Sequence, residues 1–296
     1  MERTKSSYIY AGLAILFWST VPTAFKICLG EMDILPMLTI ASLTSSLLLL
    51  IVVLGGKKAH LLLITSPGEL LSSAILGFIN PFLYYLILLK AYQLLPAQVA
   101  QPLNMIWPII LVFLSVPILR QKIESKSYIA LFISFIGVYT ISSQGMLFKP
   151  GHSDLTGVFL ATGSSIFWAF YFILNVKDKR DEGVKLLLNF MFGSIYLIIT
   201  LIVTGKLQIE TGIKGIAASV YIGLFEMGIT FLFWLKALQM ASTTAKVSNL
   251  VYIAPFLSLV FVHFILHEPV YYTTPLGLVL IISGIFIQNK RSKIVV

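Results

Sequence analysis

The sequence predicts an all-α integral membrane protein with ten transmembrane helices in two inverted five-helix repeats. Three observations lead to this prediction: 58% of the 296 residues are apolar, apolar runs of membrane-spanning length recur along the chain, and the two halves share short motifs. Only 11% of the residues are charged, whereas soluble domains contain about a quarter. A soluble fold has no means of burying this much apolar surface, but a bilayer accepts it as solvent.

Ten apolar runs have the length that a bilayer requires. A hydrocarbon core of about 30 Å is crossed by roughly 20 helical residues. Strands of a membrane β-barrel would instead appear as alternating segments of about ten residues, so the runs are predicted to be helices. They cover residues 8–29, 34–54, 70–90, 97–118, 126–143, 154–175, 184–204, 215–238, 243–266 and 271–289.

Basic residues orient these helices. One set of alternate loops and termini carries 14 Lys or Arg residues, and the other carries only Lys149, Lys206 and Lys214. Because cytoplasmic loops concentrate Lys and Arg, both termini are predicted to be cytoplasmic, which requires an even number of spans. The larger set comprises Arg3, Lys5, Lys57, Lys58, Arg120, Lys122, Lys126, Lys177, Lys179, Arg180, Lys185, Lys290, Arg291 and Lys293.

The N-terminal apolar run is interpreted as the first span, since no small-residue cleavage site follows it. Short loops favour the cytoplasmic (inner) membrane of a prokaryote, and a eukaryotic or organellar membrane is the alternative. The net charge of +9 is spread between the apolar runs, so membrane lipid rather than nucleic acid is the expected partner.

Several kinds of chemistry are not supported by the sequence. The single cysteine, Cys28, excludes an internal disulfide and a CxxC motif. His263 and His267 are four residues apart, but they lack the HExxH order and a third ligand. No glycine-rich phosphate-binding loop is present. We therefore expect no cofactor, no metal and no direct use of ATP.

The two halves of the chain resemble each other, which predicts repeats at residues 1–145 and 154–290. Five spans per repeat is an odd number, so the second repeat enters the membrane from the opposite side. Inverted repeats are typical of secondary transporters, which bind substrate near the bilayer midplane between the repeats. The matched positions are 89–93 (LKAYQ) with 235–239 (LKALQ), Pro108 with Pro255, Gly137 with Gly284, and 17–19 (FWS) with 167–169 (FWA).

These positions together resemble the drug/metabolite transporter superfamily, in particular its EamA-type ten-helix members. Glu268 matches an acid that often follows the penultimate helix of a half in that family, whereas Gln121 stands at the equivalent place in the first half. The stretch 103–108 is similar to one in aromatic amino-acid exporters of the superfamily. The resemblance implies a central cavity lined by helices 1, 3, 4, 6, 8 and 9. It implies substrates among amino acids, nucleotide-like metabolites, amines and drugs.

Glu226 is the leading candidate for the functional site, because an ionisable side chain at membrane depth is costly. It lies well inside the eighth run, and Asn80 occupies the equivalent position of the third run. The two are expected to meet near the repeat interface. Glu226 would bind a substrate amine or couple transport to protons; the alternative is a carboxylate neutralised by a lysine or a helix-packing hydrogen bond.

Further polar candidates lie in neighbouring runs. Lys246, about one turn into the ninth run, would bind a carboxylate or pair with Glu226, or would instead snorkel to the headgroups. Gln101, Asn104 and Asn249 would contact substrate or bond between helices. Lys26 is expected to snorkel or to pair with a nearby acid, Glu31 or Asp33, at the outer end of the first helix.

Aromatic residues and prolines complete the candidates. Trp18, Trp107 and Trp168 would stack on a substrate ring, and packing or interfacial anchoring is the alternative for each. Four prolines are hinge candidates, because proline frees carbonyls that can line a cavity. These prolines are Pro22, Pro81, Pro108 and Pro255.

The prediction is a secondary transporter that moves a small metabolite by alternating access. One acid and one base near the presumed cavity favour an amino acid or related zwitterion. Family analogy favours export, and Glu226 allows proton coupling. The alternative is an intramembrane enzyme acting on a lipid or isoprenoid, for which Glu226 lacks an acidic partner; a scaffolding role would leave the buried charges unexplained. Monomer and homodimer both stay open.

Overall fold

The computed structural model describes residues 2–119, 125–147, 153–206, 211–240 and 249–289, and ten apolar helical segments run through these ranges. Seven are long and apolar enough to cross a membrane, and three are shorter apolar helices, at Tyr128–Ser142, Leu250–Leu266 and Thr273–Ile287. The segments are α1 (Glu2–Leu29), α2 (Ile34–Gly55), α3 (Pro67–Leu94), α4 (97–119), α5 (Ser125–Ser142), α6 (Leu155–Lys177), α7 (Glu182–Val203), α8 (213–240), α9 (249–266) and α10 (Thr273–Asn289). A short helix, Ala59–Leu63, precedes α3.

Side-chain caps explain where several helices begin. Asp154 accepts a hydrogen bond from the Gly157 N–H at the start of α6 (2.8 Å). Ser66 and Glu69 form a capping box at the start of α3. Asp181 accepts from two backbone N–H groups in the first turn of α7. Each cap satisfies donors that a helix start leaves unpaired.

Four of the ten helices are interrupted, and they form two repeat-related pairs, α3 with α8 and α4 with α9. In α3, a wide turn at Phe78–Leu83 separates Pro67–Gly77 from Tyr84–Leu94, and Asn80 has an extended backbone (φ −150°, ψ 122°). Its counterpart α8 stops at Phe225 and resumes at Ile229. The interruptions therefore lie at equivalent depths in the two halves.

The breaks in α4 and α9 share a cause. The helix Trp107–Leu119 follows Ala97–Asn104 in α4, and Ala254–Leu266 follows a 3₁₀ turn at Asn249–Ile253 in α9. Pro108 and Pro255 are each the second residue of the new helix, where no N–H is needed. Of the other two hinge candidates, Pro81 lies in the α3 break, whereas Pro22 lies inside the uninterrupted α1.

Helix packing follows a pseudo-twofold pattern. α2 packs on α7 and α5 packs on α10, while α1 packs on α8 and α9 in the same way that α6 packs on α3 and α4. Exchanging the two halves reproduces this set of neighbours. The chain is thus an all-α membrane protein built from two five-helix repeats, and the odd helix number gives the repeats opposite orientations.

The α5–α10 crossing shows this symmetry at the level of single residues. A Cβ atom on Gly137 would lie 2.7 Å from the Gly277 carbonyl oxygen and 2.7 Å from Ile281. At the equivalent site, a Cβ atom on Gly284 would lie 2.8 Å from the Ala130 carbonyl oxygen and 2.5 Å from Ser134. Both glycines allow close backbone approach, which stabilises helix association in membranes.

Ion pairs mark the two ends of the helices. Lys58 pairs with Asp181 (2.6 Å) on the face that also carries Lys57, Lys177, Lys179 and Arg180; we call it the basic face. On the opposite face, Lys206 pairs with Asp33 (2.7 Å) and Lys214 with Glu31 (3.0 Å). The acids proposed above as partners of Lys26 therefore pair with other lysines.

We predict that Gly137→Ala destabilises the protein by about 1–3 kcal/mol, because the added methyl group forces the α5 and α10 backbones apart. The control is Gly163→Ala in α6, where a Cβ atom meets nothing within 4 Å. Thermal unfolding in detergent, followed by a thiol-reactive dye that detects exposure of the buried Cys28, measures the difference. Equal midpoints for the two variants would contradict the proposed close contact.

Asp181 is predicted to make stability depend on acid pH. Partial burial acts to raise the pKa of Asp181, but bonds from Lys58 and the first-turn N–H groups outweigh it and hold the pKa below its usual value. This stabilisation is present above about pH 4, the usual pKa, and is lost as the pH falls further. Asp181→Ala should lower stability by about 1 kcal/mol. Asp181→Asn should keep much of the cap. In both variants, the unfolding temperature should depend less on pH below about pH 4 than it does in the wild type.

Candidate functional site

A cavity of about 750 Å³, including its mouth, lies between the two repeats. Its walls come from α1, α3, α4, α6, α8 and α9, the helices that the family resemblance implied. The lining residues are Trp18, Val21, Pro22, Phe25, Tyr84, Leu88, Tyr92, Gln101, Asn104, Met105, Trp107, Trp168, Glu226, Val251, Ala254 and Pro255.

Glu226 is the one acidic group among the described residues that line this cavity, and no Lys or Arg accompanies it there. It lies at the break in α8, where its own N–H still bonds to the Ile222 carbonyl (2.8 Å). The Tyr85 hydroxyl donates to Glu226 Oε1 (3.0 Å). The Thr230 hydroxyl donates a hydrogen bond to the Phe225 carbonyl across the break. The carboxylate is thus supported by one phenol, with no described cationic partner.

Aromatic rings surround the region of Glu226. The Phe231 ring lies between Trp18 and Trp168, with centroid distances of 5.9 and 5.8 Å. On the other side, Tyr84 is 5.1 Å from Trp168 and 4.7 Å from Tyr85. The predicted tryptophans Trp18, Trp107 and Trp168 all line the cavity. Rings arranged in this way attract cations as well as apolar groups.

Sequence reasoning missed the tyrosines of this wall. Tyr85 and Phe231 are separated by 146 residues, the spacing that relates Asn80 to Glu226. That spacing was a usable signal, because it placed an aromatic residue five positions after each helix break. Burial of Tyr84 and Tyr85 (4% and 0% exposed) then follows from their place between α3 and its neighbours.

A second chamber adjoins the cavity and leads towards the basic face. Trp18, Trp107, Trp168 and Val251 line both spaces, so the tryptophans stand between them. The second chamber ends at Glu182 and Lys185. Lys185 was counted above as a loop charge, yet its side chain is 4% exposed and 2.9 Å from Glu182. It also donates to the Asn175 and Asp178 carbonyls at the end of α6 (3.1 Å each).

Towards the opposite face, one turn of α4 before Gln101 of the cavity wall, lies a polar contact set that we call the latch. It joins the start of α4 to the α9–α10 loop. The Glu268 carboxylate accepts hydrogen bonds from the Ala97 and Gln98 N–H groups (3.1 and 3.4 Å), the first amides of α4. A carboxylate at a helix N-terminus is favourable, because the helix dipole is positive there.

Gln98 supplies the other half of the latch. Its side chain, 1% exposed, donates to the Pro269 carbonyl and accepts from the Tyr271 N–H (3.1 Å) and the Thr274 hydroxyl (3.3 Å). Nearby, Lys26 donates to the Tyr92 carbonyl (2.7 Å), joining the ends of α1 and α3. Lys26 therefore bonds to backbone instead of pairing with Glu31 or Asp33.

The remaining candidates fall into three groups. Asn104 and Gln101 line the cavity and also bond between helices: Asn104 accepts from Tyr84 (3.3 Å) and donates to Ser164 (2.8 Å), and Gln101 accepts from Ser258. Lys246 lies outside the described residues. Asn249 begins the 3₁₀ turn of α9. No cluster of three His, Cys, Asp or Glu side chains suited to a metal occurs among the described residues.

Asn80 does not join Glu226 in the cavity lining. The structure separates the two expected partners, because the extended backbone at Asn80 turns this residue towards α6 and α7. Its buried amide lies beside Tyr171, whose hydroxyl also meets Asn189 (3.4 Å). Equivalent positions in the repeats therefore have different surroundings, since the two halves differ in sequence around the breaks.

Comparison with known proteins identifies the class of this fold. An uncharacterized transporter of Clostridium kluyveri is 27% identical over 98% of this chain and 94% of its own length. The uncharacterized transporter YvbV of Bacillus subtilis is 26% identical over 73% of this chain and 71% of its own length. A solved crystal structure matches with a TM-score of 0.66 at 16% identity, covering 96% of both chains, which supports the fold alone.

A ten-helix membrane fold of two repeats with a cavity between them is typical of transporters. The EamA-like transporter family model matches residues 5–143 and 155–289. The chain therefore belongs to the EamA-like transporter family of the drug/metabolite transporter superfamily. It is a multi-pass membrane transporter for a small molecule, not an enzyme.

Proposed function

We propose that the protein exports a small amine-bearing metabolite, an amino acid or related zwitterion, across the cytoplasmic membrane by alternating access. One observation carries the proposal: the Glu226 carboxylate lies in the aromatic cavity between the repeats without a described cationic partner. An unpaired carboxylate at membrane depth is costly, and a substrate ammonium group offsets that cost when it binds. The export direction rests on the likeness to amino-acid exporters.

The binding mode follows from the groups around Glu226. The substrate ammonium group binds the carboxylate, and the Tyr85 hydroxyl holds the carboxylate in place at 3.0 Å. Trp18 and Trp168 flank the side chain of the substrate, stacking on a ring or an apolar group. For a zwitterion, Lys246 supplies the partner of the substrate carboxylate, as the sequence suggests. Trp107, Gln101 and Asn104 complete the polar and aromatic lining.

Glu226 also provides a route to proton coupling. A carboxylate that binds either a proton or an ammonium group makes the two compete for one site. Exchange of substrate for a proton on opposite sides of the membrane then links their fluxes. The basic face is proposed to be cytoplasmic, with both termini on that side, and the chain acts as a monomer or a homodimer.

The latch supports an alternating-access cycle. The cavity adjoins a chamber that leads to the basic face, whereas the latch joins α4 to the α9–α10 loop at the opposite face. Release of substrate to the opposite face requires these contacts to separate. The breaks near Pro108 and Pro255 are proposed hinges for that movement, because they lie in α4 and in α9, the helix that leads into the α9–α10 loop.

We predict that Glu226→Gln lowers counterflow of a labelled amino acid or amine in proteoliposomes by about tenfold or more, because it removes a charge-assisted bond. Dependence on an imposed pH gradient should be lost as well. Tyr85→Phe should cost only about fivefold. The matched control is Glu31→Gln, which removes an acid from the 3.0 Å surface pair with Lys214. Normal counterflow in Glu226→Gln would remove this residue from the mechanism while leaving the transporter assignment intact.

The latch makes a separate prediction about accessibility. Met105→Cys in a Cys28→Ser background places a reporter thiol in the cavity. Adding Gln98→Ala should raise labelling by an impermeant thiol reagent from the opposite face by about tenfold, since several hydrogen bonds are lost. Gln93→Ala is the control, because Gln93 is exposed at the end of α3, on the same face of the protein as the latch, and takes no part in the latch. Equal labelling rates of the reporter thiol with and without Gln98→Ala would show that the latch does not control access.

A further inference from the structure

A groove separate from the central cavity lies at the basic face, between the first turns of α3 and the end of α6. We call it the α3–α6 groove. It holds about 1130 Å³ when the solvent at its open side is counted, and none of its lining residues lines the central cavity. Its apolar wall includes Leu71 (62% exposed), Ile75 (50% exposed) and Leu174. An exposed apolar wall at membrane depth is a surface for an acyl chain.

Two unpaired lysines stand at the rim of this groove. Lys177 and Lys179 are exposed, and neither forms an ion pair or a side-chain hydrogen bond with the described residues. By contrast, Lys58 pairs with Asp181 and Lys185 pairs with Glu182. The rim therefore carries positive charge that the described protein groups do not neutralise.

The acids of the groove are already committed to other partners. Asp178 accepts from the Arg180 guanidinium, with a closest contact of 2.6 Å. Partial burial acts to raise the pKa of Asp178, but the bonds from Arg180 outweigh it and hold the pKa below its usual value. Glu69 accepts from the Ser66 N–H (2.7 Å) and hydroxyl (2.8 Å). Asp178 is thus neutralised by Arg180, whereas Glu69 keeps its charge. Three basic and two acidic side chains line the groove, which leaves a net positive charge.

Arg180 fixes the rim against α3. Its guanidinium donates to the Ser73 hydroxyl (2.8 Å) while holding Asp178. The side chains of Arg180 and Asp178 are each only 10% exposed. This arrangement ties the end of α6 to the wall of the groove. Lys177 and Lys179, which flank Asp178, line the same groove as the apolar wall.

We propose that the α3–α6 groove binds one anionic phospholipid. The acyl chain lies along Leu71, Ile75 and Leu174, and the headgroup phosphate binds Lys177 and Lys179. Basic pockets between transmembrane helices at the cytoplasmic side are suited to anionic headgroups, and each nearby lysine adds attraction. A zwitterionic lipid offers no net negative charge to the rim, so the anionic class is favoured. The proposal does not depend on the role of Glu226.

Native mass spectrometry of the purified full chain tests this site. The protein in detergent is mixed with phosphatidylglycerol or with phosphatidylcholine of the same acyl chains. We expect one retained phosphatidylglycerol per chain, and about 30-fold weaker binding in the double variant Lys177→Gln/Lys179→Gln. The control Lys5→Gln/Lys57→Gln removes two exposed lysines outside the groove and should bind as the wild type does.

Two further measurements test whether the occupant of the groove is a phospholipid. Ser72→Trp places a large ring in the groove and should displace the acyl chain while leaving both lysines in place. Inorganic phosphate at the same concentration should not compete, because it has no acyl chain. Equal retention of phosphatidylcholine, equal weakening in the control double variant, or displacement by phosphate alone would each overturn the proposal. Thermal unfolding of every variant confirms that it is folded before binding is compared.

Discussion

Backbone groups inside a bilayer have no water to bond to, and this constraint determines where a spanning helix can break. Each interruption must be compensated within the protein. In α8 the Thr230 hydroxyl bonds to the Phe225 carbonyl, and in α4 and α9 a proline occupies a position that needs no N–H. The breaks therefore cluster where the two halves meet, and the cavity forms beside them. An acid at such a break is sheltered from lipid yet open to a substrate.

The described contacts at the two ends of the cavity are different. At the opposite face, neutral amides and one helix-capping carboxylate connect α4 with the α9–α10 loop. Towards the basic face, a chamber walled by tryptophans ends at a buried lysine and its acidic partner. Bonds to backbone groups are directional and separate together when a helix tilts. Such a closure suits a gate that opens as a unit.

Hydropathy and motif spacing were sufficient to predict the helices and the duplicated fold, because both depend on residue type and chain length. The tryptophans and Glu226 line the cavity, and an acid and large rings are conspicuous in apolar runs of the sequence. That these residues bind substrate stays a prediction. The surroundings of Asn80 were not predictable, because an extended residue inside a helix changes the direction of its side chain. The latch was not predictable either, because Gln98 lies beside the uncharged connection between the third and fourth apolar runs and bonds to a loop 171 residues away.

The α5–α10 crossing has a consequence for the origin of the chain. The approach of Gly137 to Gly277 and Ile281 is matched by the approach of Gly284 to Ala130 and Ser134, so each half offers its partner the same surface. Such reciprocity is the geometry of an isologous interface between identical subunits. A single five-helix ancestor would have associated with its own copy through this surface, inserted in two opposite orientations. Duplication of the gene for such a subunit would join the two copies in one polypeptide, whose halves could then diverge.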